Sequence, residues 1–161
     1  MGKIVAAYPG SFDPVTNGHV DIIKRGCRLF DKVIAAVVEN PNKQPLFSPE
    51  ERLDMLRNSF NDVPNVEFDS FSGLLVKYAE KVGAAVVVRG IRAITDFEYE
   101  MQLALMNRRL NRKFETVFMM PKEEHIYISS GLVNEIARLG GSVSGLVPPY
   151  VEECLKQKYH S

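Results

Sequence analysis

Short apolar and β-branched runs alternate with amphipathic stretches along the whole chain. Runs at Ile4–Tyr8, Val33–Val38, Val66–Phe68, Ala85–Val88 and Thr116–Met119 predict five strands. Three of them are nearly continuous apolar runs, as expected of strands covered on both faces of a parallel sheet. Between them, Val20, Ile23, Cys27 and Phe30 recur at helical spacing and predict a first helix. Ser48-Pro49-Glu50-Glu51 predicts the start of a second, with Ser as cap, Pro in the first turn and Glu51 completing a capping box. Leu53, Leu56 and Phe60 continue it. A third helix spans Leu74 to Val82 and stops at Gly83. Thr95 with Glu98 predicts another capping box, and that helix runs through Met101, Ala104 and Leu105 to about Leu110. Ser129 to Leu139, ended by Gly140-Gly141, is a fifth helix, and Pro148-Pro149 opens a last one reaching about Tyr159.

Strand and helix in alternation with short connections predict an α/β doubly wound fold built on a parallel five-stranded sheet. No repeat, low-complexity tract or linker divides the chain, so residues 1–161 are expected to form one domain with a helical C-terminal end. In such folds ligands bind beyond the carboxyl ends of the strands, near the point where strand order reverses. The loops after the strands are therefore where chemistry is expected.

Composition narrows the classes. With 161 residues, 45% hydrophobic and 25% charged, the chain has the make-up of an ordinary globular protein, which excludes disorder and fibres. Twenty basic residues balance twenty acidic ones, and no basic-aromatic stripe is present, so a nucleic-acid partner is not expected. No apolar run approaches the roughly 20 residues of a membrane span, and the apolar start is too short for a signal-peptide core. Ala6 stands where a myristoylation signal has Ser or Thr. Cys27 and Cys154 are too few for a disulfide scaffold and too far apart for CxxC; each reads as a small buried residue in a reducing compartment. A cytoplasmic location is expected. Met101, Met106, Met119 and Met120 read as core filling, and the Asn107–Lys113 run as a solvated helix end.

Four strand-end loops carry unusual residues. The first, Tyr8 to His19, holds two Pro and two Gly and ends with Gly18-His19 at a helix start, where free N–H groups favour an anion. It matches neither GxGxxG nor the P-loop, whose lysine is missing. His19 either makes a local hydrogen bond there or meets a ligand. Lys43, in Asn40–Pro45, is a lone loop lysine whose plain reading is solvated surface. Arg89-Gly90-Ile91-Arg92 sets two guanidiniums directly after a buried valine run, where they either await phosphate oxygens or pair with Asp96, Glu98 or Glu100. Before the fifth helix, Ser129 and Ser130 offer a phosphate cradle or an ordinary cap. No G-x-S-x-G surrounds either serine. Glu123 and Glu124 are adjacent and do not read as a paired acid and base, and Asp13 reads as a turn residue. Cations and helix starts without a nucleophile or a fixed metal cluster suit phosphoryl or nucleotidyl transfer.

The segments YPGSFDPVTNGH (8–19), RGIRAITDFEYEMQLALMNRRL (89–110) and ISSGLVNEIA (128–137) closely resemble the bacterial phosphopantetheine adenylyltransferase family, with motif spacing kept over essentially the whole chain. The resemblance implies a Rossmann-like nucleotidyltransferase fold and conversion of ATP and 4′-phosphopantetheine to dephospho-coenzyme A and pyrophosphate. It further implies Mg²⁺ arriving with ATP, a homohexamer, and coenzyme A as a feedback ligand. In the mechanism it implies, His19, Lys43 and Arg92 stabilise charge at the α-phosphate during in-line attack. Ser11, Lys43, Leu75 and Arg89 would hold the acceptor, and ATP would contact Ser11, Phe12, His19, Gly90, Ile91, Arg92 and Glu100. It would also contact His125, Ile126, Tyr127, Ile128, Ser129, Ser130 and Gly131. Three positions depart from the family pattern: Ser11 replaces a common Thr, Gly131 a third Ser, and His125 a Trp or Tyr. Sibling transferases acting on nicotinamide mononucleotide or glycerol phosphate, and a non-catalytic nucleotide sensor on the same fold, are the alternatives.

Overall fold

In the computed structural model, which describes residues 2–160, five parallel strands form one sheet in the order β3-β2-β1-β4-β5. The strands are β1 (Val5–Gly10), β2 (Lys32–Glu39), β3 (Val66–Ser72), β4 (Val86–Gly90) and β5 (Glu115–Met119). The helices are α1 (Asn17–Leu29), α2 (Pro49–Ser59), α3 (Leu75–Val82), α4 (Ile94–Leu110), α5 (Ser130–Arg138) and α6 (Pro149–His160). A 3₁₀ turn, Glu123–His125, which the sequence pattern did not indicate, precedes α5.

Period-two alternation explains why both sheet faces are covered. Ala6, Tyr8, Val33, Ala35, Val37 and Val88 face the larger core, with Ile22 and Ile23 of α1, Met55 and Leu56 of α2, Val133 of α5 and Leu155 of α6. Ala7 and Val87 face the opposite way, onto Val76 and Ala79 of α3 and onto Phe114, while Ala36 meets Phe71 and Tyr78. The small side chains of β1 and β2 let helices approach closely on both sides.

The local start and stop signals are realised. Ser48 caps α2 and exchanges the two capping-box bonds with Glu51. Gly83 ends α3 at φ 70°, a left-handed conformation natural to glycine. One capping box is not formed: α4 begins at Ile94, so Thr95 sits inside the first turn, and the cap position is Ala93, without a side-chain bond. Asp96 instead takes the Arg92 N–H, at 3.4 Å.

Two strands run further than their apolar cores. β1 includes Pro9 and Gly10, and β4 includes Arg89 and Gly90, so both motif pairs form the carboxyl ends of strands inside the sheet. β3 extends four residues past Phe68. The methionine expectation holds for Met119 alone; Met101, Met106 and Met120 are exposed. Met101 and Met106 lie on α4, a helix whose one buried residue is Glu100, and Met120 follows β5. The cysteines are free and half-buried rather than fully buried. The Asn107–Lys113 end is largely exposed, with Arg108 paired to Glu115.

Candidate active site

Strand order reverses between β1 and β4, and the crevice beyond their carboxyl ends is a cleft of about 460 Å³. Both strands end in glycine there. At Gly90 a Cβ would lie 2.7 Å from Ile22 Cδ1 and 3.3 Å from the Tyr8 hydroxyl, so glycine lets β4 approach α1.

His19 occupies the third position of α1, where it completes a capping box with Thr16. The Thr16 backbone N–H donates to Nδ1 at 3.0 Å, and the His19 N–H donates to Thr16 Oγ1 at 3.4 Å. Since a backbone N–H can only donate, Nδ1 is an acceptor and the neutral ring carries its proton on Nε2. Burial, with Arg92 and then Arg89 nearby, pushes the His19 pKa down to about 4, so the ring is neutral at physiological pH. The local bond and the ligand-facing role are therefore not exclusive: the first fixes the tautomer needed for the second. Phe12 sets the ring from behind, edge-on at 5.0 Å, and is itself packed against Tyr8 at 5.7 Å. It is fully buried with φ 49°, a conformation bulky residues rarely adopt.

The two arginines of the β4 motif both line the cleft and both have carboxylate partners. Arg89 forms a two-pronged pair with Glu100, at 2.7 and 2.6 Å, and its Nη1 donates to the Pro9 carbonyl at 2.9 Å. Arg92 lies 3.4 Å from Asp96 and donates to the Ile128 carbonyl at 3.0 Å, which links β4 to the start of α5.

At α5 both serine hydroxyls are bonded within the protein. Ser129 Oγ accepts from Leu132 N–H at 3.1 Å as the cap, and Ser130 Oγ donates to the Pro14 carbonyl at 2.8 Å. What α5 offers to an anion is its first-turn N–H groups, its dipole and the Ser129 O–H, which the cap bond does not use. Gly18 brings the start of α1 to the same cleft.

The wall after β5 is braced from α1. Asp21, buried in α1, accepts from Lys122 N–H at 3.1 Å, and Arg25 donates to the Met120 carbonyl at 2.6 Å while sitting 3.2 Å from Asp21. This holds the segment that leads to Pro121 and His125 in the cleft wall. His125 Nδ1 is buried there without a partner.

Of the residues singled out in the sequence, Ser11, His19, Arg89, Gly90, Arg92, Glu100, His125, Ile128, Ser129, Ser130 and Gly131 line one cleft. Phe12 and Ile91 are not in its lining: Phe12 supports His19 from the core, and the Ile91 N–H bonds the Met119 carbonyl at 3.0 Å. Ile126 and Tyr127 are exposed, Leu75, the first residue of α3, packs against the smaller core, and Lys43 stands exposed in its loop. Tyr8, Ile22, Thr95 and Tyr99 line the cleft and were not singled out as site residues. Tyr8 was legible in principle, as the polar tip of an otherwise apolar strand at its carboxyl end. Burial holds its phenol well above the usual tyrosine range, hence neutral.

Residues 7–136 match the cytidylyltransferase-like family. A phosphopantetheine adenylyltransferase of Desulfosudis oleivorans is 57% identical over 96% of this chain and 92% of its own length. One of Dictyoglomus turgidum is 56% identical over 97% of this chain and 98% of its own. A Vibrio parahaemolyticus structure, provisionally described as a nicotinate-nucleotide adenylyltransferase, shares the fold with a TM-score of 0.70 at 18% identity, over 96% of this chain and 99% of its own. With more than half of the positions identical over nearly the full length of both chains, the chain belongs to the phosphopantetheine adenylyltransferase family, within the cytidylyltransferase-like group.

Proposed function

We propose that this chain, a single nucleotidyltransferase domain, transfers the adenylyl group of ATP to 4′-phosphopantetheine, giving dephospho-coenzyme A and pyrophosphate. The observation that carries this reading is that segments 8–19, 89–110 and 128–137, far apart in sequence, converge on one cleft at the strand switch point. A phosphate oxygen of the acceptor attacks the α-phosphorus of ATP; the new O–Pα bond forms as the Pα–O bond to the β-phosphate breaks, and pyrophosphate leaves. Both serine hydroxyls at α5 are already bonded within the protein, which favours direct transfer over a covalent serine intermediate.

His19 donates its Nε2–H to the α-phosphate, and the bond strengthens as charge builds in the transition state. Arg92, held by Asp96 and Ile128, shares that load, and the starts of α1 and α5 receive the outgoing phosphates. Arg89 binds the acceptor phosphate with Ser11; Glu100 acts through Arg89 by fixing its fork. Lys43 and Leu75 complete the acceptor side, Lys43 by swinging its exposed side chain over the cleft. Gly90, Ile91 and the stretch His125 to Gly131 shape the nucleotide side, Phe12 backing the ring of His19. Among the described residues no group of three or more His, Cys, Asp or Glu could hold a metal, and the carboxylates of Asp96 and Glu100 in the cleft already face arginines. Mg²⁺ would come with ATP and would supply neutralisation of phosphate charge.

A homohexamer is supported by the outward apolar residues of α4, with Ile94 83% and Leu105 59% exposed. Among the described residues no helix is long and apolar enough to cross a membrane, which agrees with a cytoplasmic enzyme. Coenzyme A, which contains the product as a substructure, would act as a feedback ligand.

The test is pyrophosphate release with ATP and Mg²⁺, run with phosphopantetheine, unphosphorylated pantetheine and nicotinamide mononucleotide. Release with phosphopantetheine alone, and dephospho-coenzyme A by mass, is expected. Faster release with nicotinamide mononucleotide would move the chain to a sibling activity, and coenzyme A binding without release on any acceptor would make it a sensor.

A further inference from the structure

Two segments on the Ser11 side of the cleft are tied together by charged side chains that the proposed mechanism does not use. Arg52, in α2, is only 3% exposed. Its Nη1 donates to the Ser11 carbonyl at 2.7 Å and its Nε to the Ser48 carbonyl at 3.3 Å, so it is buried on two carbonyls rather than on an acid. In the opposite direction Asp13, two residues past Ser11, accepts from the N–H groups of Leu46 and Phe47, at 2.8 and 2.9 Å. Each segment thus lends a charged side chain to the backbone of the other.

Phe47 is buried in the main core, which makes this end of the β2–α2 connection rigid. Lys43 lies three residues before Leu46, and its own turn is held by Lys43 N–H on the Asn40 carbonyl at 3.1 Å. Asn42 N–H on Asn40 Oδ1, at 2.9 Å, is a second bond local to that turn. The excursion of Lys43 therefore pivots where Asp13 grips the chain. Burying a guanidinium is a poor way to stabilise a helix, since an apolar side chain of similar size does as well or better. Its use here is geometric: one planar fork spans carbonyls 37 residues apart and fixes that of Ser11.

We propose that Arg52 and Asp13 form a reciprocal clasp that sets the position of Ser11 and the pivot of Lys43, making both positioning residues for the phosphorylated acceptor rather than for ATP. The clasp rests on the proposed function only in naming that acceptor. Arg92 is held by Asp96 and Ile128, which the clasp does not touch, and α5 meets the Asp13 segment through the backbone carbonyls of Asp13 and Pro14 rather than through either clasp side chain, so the clasp predicts a larger effect on the acceptor than on ATP.

The test uses Arg52→Met, Arg52→Lys and Asp13→Asn in the full-length protein. Arg52→Met keeps the volume of the side chain, so its thermal midpoint should stay within a few degrees of wild type. Its KM for phosphopantetheine should rise about ten- to a hundredfold, the range for a misplaced positioning group, with the ATP KM within about twofold. Arg52→Lys keeps the charge but spans one carbonyl and should remain impaired; full recovery would show that charge alone suffices and overturn the clasp. Equal rises in both KM values would mark a general structural role and overturn it too. Hydrogen exchange provides a readout independent of turnover. In Arg52→Met and Asp13→Asn, amides in 40–47 should exchange faster while those in 121–131 do not change. Unchanged exchange at 40–47 sinks the clasp whatever the activity. Faster exchange there, in a protein whose wild type shows no turnover with phosphopantetheine, leaves the clasp standing and removes the proposed function.

Discussion

The protonation of His19 offers the sharpest check on the site, because the same burial that prepares the ring should make the whole protein acid-sensitive. Burial first, then Arg92 and Arg89, holds its folded-state pKa at about 4, against an ordinary value of 6.5. Between those values the unfolded chain binds a proton that the folded chain does not. The stability contributed by the neutral ring is therefore complete above about pH 6.5, falls as pH drops, and is fully lost only below about pH 4. At 1.36 kcal/mol per proton per pH unit, the loss between pH 7 and pH 5 is about 2 kcal/mol, and about 3 kcal/mol by pH 4. Other groups titrate in the same range, so the effect has to be isolated. His19→Gln does this: a Gln at the third helical position can still accept from the Thr16 N–H in a capping box, but does not titrate. Urea unfolding of both proteins at pH 7, 6, 5 and 4 should give stabilities that diverge by those amounts, with wild type losing more. Ring ¹⁵N shifts at pH 7 should report the neutral Nε2–H form, and Arg92→Ala should raise the midpoint without restoring 6.5, since burial is the larger cause. Parallel stability curves between pH 7 and 5, or a ring titrating near 6.5 in wild type, would refute the reasoning.

His19→Ala should lower turnover by about 10² to 10³, the range for losing one donor to a developing oxyanion, with ATP affinity changed far less; weaker ATP binding with unchanged turnover of the bound complex, by equilibrium binding and single-turnover kinetics, would contradict a transition-state role. Arg89→Ala should raise the phosphopantetheine KM and also destabilise the fold by about 3 kcal/mol, because Glu100, 9% exposed, keeps a buried charge without its partner; Arg89→Ala with Glu100→Leu should regain stability in denaturant melts but not the KM. For Gly131→Ser, a Cβ there meets nothing within 4 Å, so unchanged stability and equal or tighter ATP binding by calorimetry are expected. Asp21→Asn loosens the brace on the Lys122 N–H and should raise the ATP KM several-fold with little effect on phosphopantetheine, measured in the same pyrophosphate assay.

What the sequence makes legible here is whatever is written within about four residues or in a short apolar run. Ser48 with Glu51, Gly83 after Val82, and the run Ile4 to Tyr8 are all local, and each was readable without knowing what lay across the sheet. The chemistry of the cleft is local only in part. That Arg89 and Arg92 stand beside carboxylates was among the readings, yet the choice of Glu100 for Arg89 depends on how α4 turns relative to β4. The serines at α5 show the same boundary: their spacing marks a helix start, but only the approach of Pro14, 116 residues away from Ser130, decides that this hydroxyl is occupied. The methionines failed for another reason. An apolar residue awaiting a partner chain has the same composition signature as one awaiting a core, so Met101 and Met106 on α4 could not be told from Met119. Two of the three misassigned methionines thus fall on α4, a helix of which only Glu100 is buried. On such a helix composition and spacing alone do not say whether an apolar residue is covered by its own chain.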